Sequence, residues 1–77
     1  MKNKKVEQTV SKLIDELAKI RKEKNLSHEK LAALTGLNRS TISLIENKKR
    51  TPTILTCLKI ADALEVSLGK LIDKVSK

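Results

Sequence analysis

Apolar residues return every third or fourth position through most of the chain. Val6, Val10, Leu13, Leu17 and Ile20 alternate steps of four and three, the spacing that lines up one stripe of an α-helix. They predict a first helix from about residue 4 to Lys24, with Asn25 as the first break. Ser27 then offers a side-chain oxygen to the free N–H groups of a second helix, and Glu29 in its first turn suits the positive end of the helix dipole. That helix should carry Leu31, Ala32 and Leu34 inward and stop at Gly36, a residue that accepts the left-handed C-terminal conformation. Asn38 is the next cap. The helix after it presents Ile42 and Ile45 to the core and Arg39, Ser40, Thr41, Ser43 and Leu44 outward. Residues 47–52, NKKRTP, read as a loop, because Pro52 drives Thr51 out of helical geometry. Thr53 caps a fourth helix with Ile54, Leu55, Leu58, Ala61 and Leu64 as its buried side. Ser67 caps a fifth, which contains Leu68, Leu71, Ile72 and Val75. The predicted fold is all-α, a compact five-helix domain with an extended first helix.

Composition narrows this picture. With 77 residues and no Phe, Trp or Tyr, the core must be built from Leu, Ile, Val and Ala, a mixture that packs between helices and gives no support for strands. A domain this short buries only about 60% of the surface its unfolded chain exposes, so a second copy would help it. The net charge of +8 is uneven, and residues 38–50 hold four basic side chains against one acidic. Such a local excess suits phosphate, which needs Lys and Arg gathered on one surface. One Cys cannot form an internal disulfide, and the single His lies far from it, so no metal site or cofactor is expected. Cys57, between Ile54 and Ala61, reads as a small buried apolar residue rather than a redox centre. No apolar run reaches the roughly 20 residues of a membrane span, nor does a secretory stretch follow the basic N-terminus. The expectation is a soluble cytoplasmic protein with no membrane partner.

The two short helices SHEKLAALTG and NRSTISLIE, joined at Gly36, Leu37 and Asn38, form a helix-turn-helix pattern. Ala32 lies one helical turn before Gly36 and is small enough for a close crossing, Leu37 fills the corner, and Ile42 and Ile45 anchor the second helix. The combination of Ser27, Leu31, Ala32, Gly36, Ile42, Ser43, Glu46, Pro52, Leu58, Ile60, Ala61 and Leu64 resembles the Cro and lambda-repressor type of helix-turn-helix proteins, also called Xre-like. In size the chain is similar to the controller proteins of restriction and modification systems. The resemblance implies an N-terminal extension with the start of the first helix over 1–16, a DNA-binding domain over 17–72 with its motif at about 28–47, and a tail over 73–77. It implies a regulator of transcription, such as a repressor, that reads a palindromic duplex operator as a homodimer, with RNA polymerase as a further candidate partner. Family members usually carry Gln after the cap of the second helix, where it touches the DNA backbone; here that residue is His28.

Chemistry divides the roles. Arg39, in the first turn of the reading helix, can span O6 and N7 of guanine, while Ser40 and Thr41 suit a nearby base edge or thymine methyl. His28, Asn38, Ser43, Asn47, Lys48, Lys49 and Arg50 are expected on phosphates, although capping alone would also account for Asn38. Glu46 would be repelled by DNA unless neutralised, and the family pattern supplies Arg21 as its ion-pair partner. The apolar surplus of the last two helices, where Ile60 adjoins Ala61 and Leu71 adjoins Ile72, predicts an interface of Leu68, Leu71, Ile72 and Val75. Folding of Val6 and Val10 over the same surface is the alternative. An enzyme is not supported, since the chain has no nucleophile and base set and no glycine-rich phosphate loop. An antitoxin of the same fold is the competing function, and single-stranded RNA binding suffers from the missing aromatics.

Overall fold

The computed structural model describes residues 2–77. Five helices succeed one another: α1 (Lys2–Glu23), α2 (His28–Thr35), α3 (Arg39–Glu46), α4 (Ile54–Ala63) and α5 (Leu68–Val75). The start signals in the sequence act as hydrogen bonds at three of the four caps. Ser27, Thr53 and Ser67 accept from the backbone N–H of Lys30, Thr56 and Lys70 respectively. Asn38 departs from this pattern: its backbone is extended as an N-cap requires, but its side chain makes no capping bond. Asn38 is thus the N-cap of α3 by its backbone, as the sequence suggested, and its C=O accepts from Ile42 N–H at 3.2 Å, but its amide does not cap the helix.

Helix ends obey a second rule. At Asn25, Lys48 and Glu65 the chain swings into the left-handed region, with φ of 57°, 64° and 61°, and each turn is closed by the same pair of bonds. Leu26 N–H reaches Arg21 C=O while Asn25 N–H reaches Lys22 C=O, and the pattern recurs at Lys48–Lys49 and at Glu65–Val66. These are Schellman turns, which satisfy the carbonyls left over at a helix end. Gly36, with φ of 76°, ends α2 by a single bond to Ala32 C=O.

Leu31, Ile42 and Leu64 are fully buried at the centre. Leu13 and Leu17 of α1, Cys57, Ile60 and Ala61 of α4, and Leu68 and Leu71 of α5 complete one core cluster. Ile14, outside the stripe read from the sequence, is also buried, because α1 is gripped on two sides: α5 takes one flank, α3 the other. Helix α1 runs without a break from Lys2 through residue 16 to Glu23, and α5 continues to Val75 with Lys74 paired to Glu16 of α1 at 2.7 Å.

Four inward assignments are corrected. Leu34 lies on the open side of α2, and Ile54, Leu55 and Leu58 of α4 are 66%, 59% and 51% exposed. The α4 residues that turn inward are Cys57, Ile60, Ala61 and Leu64. The helix offers two apolar stripes, and among the described residues the one facing α2 and α5 is the one that is buried. Leu68 and Leu71 are corrected in the opposite sense: both are buried against α1 in the monomer core, which leaves Ile72 exposed and Val75 half-buried on α5. Of the two residues in the alternative cover, Val6 is 63% exposed and Val10 half-buried.

Candidate nucleic-acid interface

α2 and α3 are brought together by a three-residue turn that Thr35 supports. Its hydroxyl donates to Leu31 C=O at 2.8 Å and accepts from Leu37 N–H at 3.2 Å. Leu31 and Ile42 seal the inner side of the crossing. On the outer side the start of α2 and the exposed face of α3 border an open groove of about 550 Å³, lined by Ser27, His28, Glu29, Arg39, Ser40 and Ser43. Arg39 and Ser40 stand exposed on the first turn of α3, while Thr41 and Ser43 are half-buried at its flanks. Asn47 donates from Nδ2 to Ser43 Oγ at 3.3 Å, so these two side chains form one polar edge.

Behind the groove lies an ionic cluster that ties three helices together. Arg21 of α1, a buried side chain, donates from Nε to Glu46 Oε2 at 2.8 Å and from Nη2 to Glu46 Oε1 at 3.0 Å. Its third arm, Nη1, donates to Leu26 C=O at 2.6 Å. His28 Nε2 meets the same Glu46 Oε1 at 2.8 Å. Burial works against the charged form of Glu46, but the hydrogen bonds from Arg21 and His28 and the guanidinium charge outweigh it and hold the carboxyl below its ordinary range. Glu46 is thus a fixed anion whose charge is spent inside the protein. A bidentate arginine fixes orientation as well as charge, so the last turn of α3 is held at a set angle to α1.

The basic loop after α3 divides into two parts. Lys48 turns back to α1, where Nζ reaches Asp15 Oδ1 at 2.8 Å and Ser11 Oγ at 2.9 Å. Lys49 and Arg50 are exposed. Sequence reasoning did not single out Thr35, Ser11 or Asp15. Thr35 had a usable signal, a hydroxyl immediately before the turn glycine; Asp15 and Ser11 had none, since their partner lies more than thirty residues away.

The Helix-turn-helix family model matches residues 17–71, which takes in both helices of the groove, the Arg21–Glu46 pair and most of the core. The chain is 42% identical over 50 residues to control protein C.SmaI of Serratia marcescens, a match covering 65% of this chain and 60% of that protein. It is 39% identical over 64 residues to control protein C.MunI of a Mycoplasma species, covering 82% of this chain and 86% of the relative. The HTH-type transcriptional regulator PuuR of Escherichia coli is 36% identical over 61 residues, 79% of this chain but only 33% of that longer protein. No solved structure gives a significant match.

Proposed function

We propose, for a chain that belongs to the helix-turn-helix family of DNA-binding regulators, that it binds a palindromic duplex operator as a homodimer and controls transcription there. The observation that carries this reading is the exposed first turn of α3, with Arg39 and Ser40 clear of intrachain burial beside a loop that leaves Lys49 and Arg50 free to meet phosphate. Arg39 takes the base-reading role, with Ser40 and Thr41 beside it. Asn38, whose amide no cap consumes, joins His28, Ser43, Asn47, Lys49 and Arg50 on the backbone, and Lys48 contributes charge from its anchored position. Dimerisation uses the apolar surface that the monomer leaves open on α4 and α5, and it sets two α3 helices about one DNA turn, roughly 34 Å, apart. Two relatives are control proteins by name, and promoter control by the protein's own concentration, through dimerisation and cooperative binding, is the form of regulation this reading takes.

Selection from a random duplex pool tests the reading. Wild-type protein should enrich an inverted repeat, and Arg39→Ala should lose preference at one base pair per half-site at a cost of about 1–3 kcal/mol on the selected sequence. Lys49→Ala should weaken all duplexes alike. Failure of the wild type to enrich any sequence would overturn the proposal.

A further inference from the structure

The ring of His28 has two nitrogens, and the structure commits one of them. Nε2 sits 2.8 Å from Glu46 Oε1, and an ionised carboxylate only accepts hydrogen bonds, so the nitrogen facing it must carry the hydrogen. In a neutral imidazole that choice leaves Nδ1 as a bare lone pair. Among the described residues no hydrogen bond reaches Nδ1, and the ring is part of the wall of the open groove with Ser27, Arg39, Ser40 and Ser43. A phosphate oxygen brought against this wall would face lone pair to lone pair. Contact becomes favourable only when Nδ1 gains a hydrogen, which makes the ring an imidazolium with Nε2–H on Glu46 and Nδ1–H on the phosphate.

We propose that His28 takes up a proton as it grips a backbone phosphate, so that DNA binding by this protein is proton-linked and tightens as the pH falls. The inference rests on the duplex-binding reading above and adds its regulation by pH. The charges around the ring make the phosphate the deciding partner. From α3 it faces Glu46 and Arg39, from α1 Arg21, and from its own helix Glu29; Glu46 is already neutralised by a bidentate Arg21, and Arg39 and Glu29, of opposite charge, both line the groove. An incoming phosphate adds negative charge that nothing in the site has yet offset. A glutamine in the same place would always keep a donor for phosphate, because its amide carries two hydrogens at every pH. Histidine replaces that constant contact with a conditional one.

The chain has a single histidine, so its ring can be read without assignment by nitrogen-resolved magnetic resonance. Free protein at neutral pH should show the tautomer with hydrogen on Nε2, and the complex with an about 30-base-pair duplex recovered by the selection should show both nitrogens protonated. Calorimetric titration of that duplex in two buffers of different protonation enthalpy should give a heat difference equal to up to one proton taken up per subunit. Affinity should fall as pH rises from 6 to 8, by at most about tenfold per unit for each subunit. In His28→Gln the buffer difference should vanish and the pH slope should flatten, whatever its affinity relative to the wild type. Hydrogen on Nδ1 in the free protein, a ring that stays neutral in the complex, or a pH slope that survives in His28→Gln would each overturn the proposal while leaving duplex binding intact. A selection that yields no duplex overturns the functional reading itself.

Discussion

Among single residues, Glu46 carries the most consequence, because it accepts hydrogen bonds from side chains on two other helices. Removing it strands Arg21, whose guanidinium is buried with only Leu26 C=O left to accept from it. Glu46→Leu should cost about 3 kcal/mol, the scale for breaking a buried ion pair, and Arg21→Met a similar amount. The double variant should cost clearly less than the sum, since neither charge is then left alone. Denaturant titration of the four proteins measures the coupling, and strictly additive losses would mean that the contact is energetically idle. The pH dependence has a definite sign. A carboxyl held below its ordinary value in the folded protein binds its proton more readily when unfolded, so its stabilising effect is complete at neutral pH. That effect is lost as the pH falls below about 4 and through the depressed folded value, and Glu46→Leu should remove this part of the acid sensitivity.

At the scale of the helix, the ends are more informative than the middles. Three turns place a non-glycine residue at positive φ, where an L side chain costs roughly 1 kcal/mol. Glu65 is the least defended of them, exposed and without the local hydrogen-bonding amide that makes Asn25 tolerable there. Glu65→Gly should therefore stabilise the protein by about 0.5–1 kcal/mol, a rise of a few degrees in Tm. Gly36→Ala should do the reverse. A Cβ at Gly36 would meet nothing within 4 Å, so the loss isolates the backbone conformation from any clash. Thermal unfolding of both variants checks the pair, and an unchanged or lowered Tm for Glu65→Gly would show that its turn is not strained. Lys48 has the same backbone but a reason to stay, because its side chain ties the loop to α1 through Asp15 and Ser11.

For the molecule as a whole, the open question is what covers Ile54, Leu55 and Leu58 of α4 together with Ile72 of α5. Exposed large apolar side chains favour association, and a two-fold pairing through those of α4 and α5 presents two reading helices to one face of the duplex. Leu58→Asp should give a folded monomer at tens of micromolar that binds single half-sites no worse than the wild type but loses its preference for the inverted repeat. Leu71→Asp provides the contrast: its side chain lies in the monomer core, so the substitution should unfold the chain rather than dissociate it. Sedimentation together with circular dichroism separates the two outcomes. A wild type that remains monomeric at the same concentration would rule out the dimer.

Helix number, order and starts were determined by the sequence alone, because hydrophobic period and capping side chains act within a few residues of one another. Ser27, Thr53 and Ser67 needed no distant partner to do what their position implied. The helix-turn-helix pair was legible for the same reason, since Ala32, Gly36, Leu37 and Ile42 fall within a dozen residues and set the crossing by size. Tertiary structure decided everything that depends on which face meets which neighbour. A helix with two apolar stripes, such as α4, does not state in its sequence which stripe will be covered. Packing chose Cys57, Ile60, Ala61 and Leu64 and left Ile54, Leu55 and Leu58 outside. Packing likewise put Leu68 and Leu71, expected at an interface, into the core. It also turned His28 from an isolated helix-start residue into the third member of a cluster with Arg21 and Glu46. Those three side chains are separated by 7 and 18 residues in sequence, and only the folded chain brings a charge on α3 within hydrogen-bonding distance of both.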